Sequence, residues 1–93
     1  MTSRDGAFRA LADPTRRRIL ELLARHDLTA GEIAEQFPVA FATVSRHLGV
    51  LKDAGLVDTE REGQFIHYSL NTTVYQEVVR YLMKVLKTGG THA

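Results

Sequence analysis

One stretch constrains this chain more than any other: residues 38–57, PVAFATVSRHLGVLKDAGLV. At helical period, Val44, Leu48 and Leu51 fall at i, i+4 and i+7 and make one apolar edge. The opposite edge carries Ala42, Thr43, Arg46 and Gly49, with Ser45 to one side, and no acid interrupts it before Asp53. Small, polar and cationic side chains on one face let a helix come close to an anionic partner, as a helix lying in a DNA groove must. The end of the helix is marked as well. Gly55 suits the left-handed C′ position, and Leu56 at C″ is placed to touch Leu51 at C3, as in a Schellman motif.

The segments on either side supply its partners. Thr29 as N-cap and Glu32 at N3 spell a capping box for a helix over residues 30 to about 37, closed by Pro38. Two helices joined by a tight turn, the second with a polar outer face, form the helix-turn-helix pattern. After Gly55 the apolar period shortens to that of a strand. Val57–Glu62 and Phe65–Leu70 read as two strands around a Glu62-Gly63-Gln64 turn. A hairpin in this place is a wing.

Residues 4–11 predict a short helix presenting Ala7, Phe8 and Leu11. Asp13 then caps a second helix, with Pro14 at its first position and Ile19, Leu20, Leu22 and Leu23 as its apolar stripe. Arg16, Arg17 and Arg18 lie near the positive end of that helix dipole, against its preference. They are expected either to be solvated or to answer a phosphate or a carboxylate. Asn71 caps a last helix over residues 72 to about 87, and the tail from residue 88 is expected to fray. Val74, Tyr75, Val78, Val79, Tyr81, Leu82, Met83, Val85 and Leu86 give that helix more apolar surface than one face needs.

Size gives the surplus a use. A chain of 93 residues buries only somewhat over ~60% of its unfolded surface, and with no cysteine there is no disulfide to add stability. A second copy is the expected cover, with Phe8, Leu11, Val78, Tyr81, Leu82 and Val85 at the dimer interface. The composition, 44% hydrophobic and 25% charged, is that of a soluble globular protein, and a net charge of +1 is uninformative about partners. No apolar run is long enough to span a membrane, and the first residues lack the basic-then-apolar layout of a signal peptide. The expected location is the cytoplasm.

Four pieces, LADPTRRRILELL, TAGEIAEQF, TVSRHLGVLKDAGLV and EGQFIHYSLN, together resemble the ArsR/SmtB family of bacterial winged-helix repressors over nearly the whole chain. TAGEIAEQF with GQFIHYSLNTTV is most similar to the SdpR-type autorepressor branch. The resemblance implies a homodimer built from the first and last helices that binds a pseudo-palindromic double-stranded DNA operator and blocks transcription, in this branch at its own promoter. It implies that the helix from Phe41 reads the major groove while residues 61–67 reach the flanking backbone or minor groove. Release by a small ligand and release by an anti-repressor protein partner both remain open. The chain departs from the family pattern twice, with Ala40 where Ser or Thr is usual and Phe41 where a polar residue is common. An Ala N-cap costs on the order of 1 kcal/mol against Ser, and Phe41 can meet a thymine methyl but cannot hydrogen-bond a base edge.

The expected fold is therefore mainly α, an α+β winged helix-turn-helix of about five helices with a two-stranded β-hairpin wing. It occupies a single domain, residues 1–93, with about 1–12 and 72–87 for dimerisation, 29–55 for the helix-turn-helix and 57–70 for the wing. Arg46 is the leading DNA-binding candidate, suited to bidentate contact with guanine or phosphate. Thr43, Ser45 and Ala42 follow as phosphate or close-approach positions. His47 is either a DNA contact or a structural donor to a backbone carbonyl, and Phe41 either a reader or a core residue. In the wing Arg61, Gln64 and His67 are candidates beside the acids Glu60 and Glu62. Metal sensing, the family's best-known activity, finds no thiolates here. Glu77 stands alone on the last helix, and His26, His47, His67 and His92 are scattered, so neither a metal nor another cofactor is expected within one chain, while a metal site assembled across a dimer stays open. Ser45 and His47 are two apart on a helix and do not face each other, so no nucleophile–base pair forms and no enzyme is expected. The acidic wing and Ala40 motivate one rival, a winged-helix module that works through protein contacts with weak or lost DNA binding.

Overall fold

The computed structural model describes residues 3–90. Its elements are α1 (Ser3–Leu11), α2 (Pro14–Leu23), β1 (Leu28–Thr29), α3 (Ala30–Ala34), α4 (Phe41–Asp53), β2 (Val57–Glu62), β3 (Phe65–Leu70) and α5 (Thr72–Gly90). Short polar signals start and stop them. Asp13 Oδ2 accepts the Arg16 amide at 3.0 Å ahead of Pro14. Thr29 and Glu32 close both bonds of their capping box, at 3.1 and 2.8 Å. Asn71 Oδ1 accepts the Thr73 amide at 3.0 Å to open α5. Beyond α4, Gly55 takes φ +78° while the Leu56 amide reaches the Leu51 carbonyl and the Gly55 amide the Lys52 carbonyl, both at 3.0 Å. That is the Schellman pairing.

Two of the arginines at the start of α2, Arg16 and Arg17, have a different partner from those expected. Arg16 donates from Nε to the Ala10 carbonyl at 2.8 Å and from Nη2 to the Arg9 carbonyl at 3.2 Å, and Arg17 donates from Nη1 to the Leu11 carbonyl at 2.8 Å. Carbonyls at a helix end lack amide donors four residues on, and cations there complement the dipole. The charge misplaced at the start of α2 is well placed at the end of α1. Arg18 pairs with Glu21 on the surface at 3.2 Å.

Each helix turns a stripe inward. Ile19 from α2, Ile33 from α3, Val44, Leu48 and Leu51 from α4, and Leu56 beyond it are fully buried. Leu20 and Leu23 of α2, Ala7 and Ala10 of α1, Ala54, Val57 of β2, and Val74 and Val78 of α5 complete this core, and no polar or charged residue is buried among those described. Burying one such aliphatic side chain stabilises the fold by about 1.5–3 kcal/mol, so the inner edge of α4 anchors it.

Three features differ from expectation. The wing is not a two-stranded hairpin alone: β1 joins it, and the sheet order is β1-β3-β2, antiparallel, with Leu28 opposite Tyr68 and Thr29 opposite His67. Strands β2 and β3 themselves run over the expected residues, and the loop between them is two residues, Gly63 and Gln64, with Glu62 facing Phe65 across it. Only Gly63 takes a positive φ, +63°, the pattern of a type II′ turn. Helix α3 ends at Ala34, and tight turns from Ile33 and Ala34 to the Gln36 and Phe37 amides carry the chain on. Helix α5 continues to Gly90, past the expected end at 87, and Thr88 does not fray but bonds the Lys84 carbonyl at 3.0 Å. Residues 91–93 of the expected tail lie outside the described residues.

Candidate nucleic-acid interface

Helix α4 leaves the core with one face free. Behind it Val44, Leu48 and Leu51 are buried; in front Ala42, Ser45, Arg46, Gly49 and Lys52 are exposed, and Thr43 is half-buried at the side. A Cβ added at Gly49 would meet nothing within 4 Å. Among the described residues Arg46 makes no ion pair, so its guanidinium is available to an incoming anion. At the N-terminus Ala40 supplies no side-chain cap, and Phe41, 55% exposed, stands outward beside Val39, 48% exposed. Phe41 is therefore not a core residue; its position one residue past the cap precedes the turn of α4 that packs inward.

His47 does not belong to this face. Its side chain is only 14% exposed, and Nδ1 lies 3.3 Å from Arg16 Nη1 and 3.9 Å from Asp13 Oδ2. Nor does it donate to a backbone carbonyl there, because an arginine has only hydrogens to offer and Nδ1 must accept. The i, i+2 spacing from Ser45 turns it toward α2, a contact between distant segments that helix periodicity alone does not place.

In the wing, cross-strand pairing sorts the side chains. Asp58, Glu60 and Glu62 share one face with Ser69, His67 and Phe65, while Thr59 and Arg61 share the other with Tyr68 and Ile66. Glu62 Oε1 lies 3.0 Å from His67 Nε2, so His67 is already engaged on an acidic face. Arg61 and Gln64 are exposed near the turn. Burial pushes the Tyr75 hydroxyl up to about 12 and also raises that of Tyr68, so both stay neutral.

The expected dimer residues divide. Val78 is buried in the protomer's own core and is spent there. Phe8 packs edge-on against Tyr81, ring centroids 5.5 Å apart, and Leu11 is half-buried against the core. Leu82 and Val85 are exposed, together with Val79, Met83 and Leu86. Among the described residues of one chain no three His, Asp or Glu side chains gather closely enough to hold a metal ion. No described helix is long and apolar enough to cross a membrane.

A short helix, a tight turn, a second helix with an open cationic face and a hairpin behind it define a winged helix-turn-helix protein of the DNA-binding class. Comparison with known proteins agrees. The helix-turn-helix domain family matches residues 11–60. The chain is 46% identical to the transcriptional repressor SdpR of Bacillus subtilis over 85 residues, 91% of this chain and 94% of that protein. A crystal structure of an ArsR family transcriptional regulator superposes with a TM-score of 0.88 at 30% identity, covering 95% of this chain and 91% of that one. The homodimeric winged helix-turn-helix DNA-binding domain of Mb0332 from Mycobacterium bovis superposes at 0.70 with 30% identity, covering 97% and 81%. The chain belongs to the ArsR family of winged helix-turn-helix transcriptional regulators.

Proposed function

We propose that this protein is a transcriptional repressor, not an enzyme, that binds a pseudo-palindromic DNA operator as a homodimer in the cytoplasm. The observation that carries the reading is the exposed Arg46 on a face of α4 that is otherwise small and open, held from behind by Val44, Leu48 and Leu51. Arg46 reads a base edge or clamps a phosphate; Ala42, Ser45 and Gly49 let the helix sit close, and Thr43 flanks it. Phe41 offers a surface for a thymine methyl. Arg61 and Gln64 near the hairpin turn reach the flanking backbone.

The apolar face of α5 supplies the dimer contact, with Leu82 and Val85 central and Phe8, Tyr81 and Leu11 at its edge. A relative of the same fold is homodimeric, and one at 46% identity is a repressor. By analogy with that branch, the operator lies at the protein's own promoter, with release left to a small ligand or to an anti-repressor protein partner. The test is selection of duplexes from a random library, then a salt titration on the winner. A repressor selects one motif with two related half-sites and binds it in the nanomolar range, with log affinity falling linearly against log salt. Weak, equal binding to every duplex contradicts the reading and favours a module that works through protein contacts.

A further inference from the structure

The contact between Arg16 and His47 joins three elements at one guanidinium. Arg16 lies in the first turn of α2; Nε and Nη2 hold the last carbonyls of α1, and Nη1 donates to Nδ1 of His47 on α4 at 3.3 Å. Asp13 Oδ2 fixes the arginine's own amide at 3.0 Å, so the guanidinium springs from an immobilised turn. Helix α1 in turn packs on α5 through Phe8 and Tyr81. A rigid path therefore runs from the helices at the dimer face, through Arg16, to the middle of the helix that faces DNA. We propose that Arg16 and His47 are positioning residues that set the orientation of α4 relative to the dimer axis, and hence the half-site spacing the protein accepts.

The physical argument rests on fork geometry. Two bonds from Nε and Nη2 to carbonyls of α1 fix the plane of the guanidinium, and that plane fixes the direction in which Nη1 meets the His47 imidazole on α4. His47 adds no contact of its own to DNA in this arrangement, because its ring is turned away from the open face. Two recognition helices must enter successive major grooves about 34 Å apart, and a pivot of α4 beneath them changes that separation. What the pair controls is thus the match between two half-sites, while the reading of each half-site stays with Arg46 and its neighbours.

This inference rests on the repressor reading, and the experiment keeps the two apart. The probes are the duplex selected by the wild-type protein, the same duplex with one base pair inserted between or deleted from its half-sites, and a duplex carrying one half-site. The wild type is expected to prefer the matched spacing by about tenfold, the size of one lost base-pair match. His47→Leu, shown to be folded and dimeric by circular dichroism and sedimentation, loses most of that preference while its half-site affinity stays within about twofold. His47→Asn, which keeps an acceptor near the place of Nδ1, retains the preference. If His47→Leu does not fold, Arg16→Lys carries the same test, since an ammonium keeps the charge for α1 but lacks the fork. A folded variant with unchanged spacing preference overturns the proposal. So does a variant whose full-site and half-site affinities fall together, the mark of a role in stability alone. A wild type that selects no duplex overturns the repressor reading, and this proposal with it.

Discussion

Oδ2 of Asp13 accepts the backbone amide of Arg16 at 3.0 Å, and that bond, ahead of the nearby charges of His47 and Arg16, holds the Asp13 carboxyl below its ordinary value of 3.8 against an opposing effect of burial. The folded form thus binds the proton less readily than the unfolded chain. Its contribution to stability is complete above 3.8 and is lost as pH falls from there through the lower folded value. Asp13→Ala is expected to cost about 0.5–2 kcal/mol at neutral pH, the usual value of an N-cap. Asp13→Asn keeps the acceptor but not the charge, so urea unfolding measured over acid pH should show a shallower loss of stability than the wild type below about pH 4. An identical acid limb in both proteins would contradict the role given to this carboxyl.

Gly49 separates stability from binding. It lies inside α4, where Gly costs about 0.5–1 kcal/mol against Ala, and a Cβ there would meet nothing within 4 Å. Gly49→Ala is expected to raise the melting temperature and to weaken DNA binding, because the new methyl stands on the face that approaches the groove. A variant that is both more stable and equally tight would show that this part of α4 does not come close to DNA.

Much of this was legible in the sequence because it is local. Asp13, Thr29, Asn71 and Gly55 each act on amides or carbonyls within a few residues, and all four cap as their residue types predict. The inward edge of α4 followed from periodicity. What failed to show was tertiary. Leu28 and Thr29 carry no strand pattern and become β1 only because β3 presents a free edge. Arg16 looked out of place at the start of its own helix because the carbonyls it serves belong to the preceding one. His47 sits beside the apolar edge of α4, where one turn of the ring separates a DNA contact from a contact with Arg16. Val78 belongs to the same apolar arc as Leu82, and only the packing of α5 shows which of them the protomer spends on itself. Of the proposed interface, the Arg46 face was readable and the engagement of His67 by Glu62 was not.

That engagement has a consequence in the wing. Glu62→Gln removes a negative charge 3.0 Å from His67 while keeping an acceptor for its ring nitrogen. DNA affinity at low salt is expected to rise by about 0.2–1 kcal/mol, the range of an exposed charge contact, and the gain should shrink as salt is added. Unchanged affinity at low salt would place this face of the hairpin away from DNA.

The open side of α5 is tested by Leu82→Asp. Leu82 is exposed in the protomer, so the change costs the isolated fold little, but a carboxylate in an apolar dimer contact is unpaired and heavily penalised. Sedimentation should show a monomer, with operator binding reduced to that of a single half. A stable dimer would move the interface off this face.

The most direct measurement of the central claim is the affinity of Arg46→Ala for the selected operator, read beside its melting curve. Arg46 is exposed and without an ion pair among the described residues, so folding should be nearly unchanged. Operator binding should weaken by roughly 1–3 kcal/mol, with relaxed preference at the base pairs it reads or a salt slope lower by about one. A folded Arg46→Ala protein that binds the operator as tightly as the wild type would contradict the assignment of α4 as the helix that reads DNA.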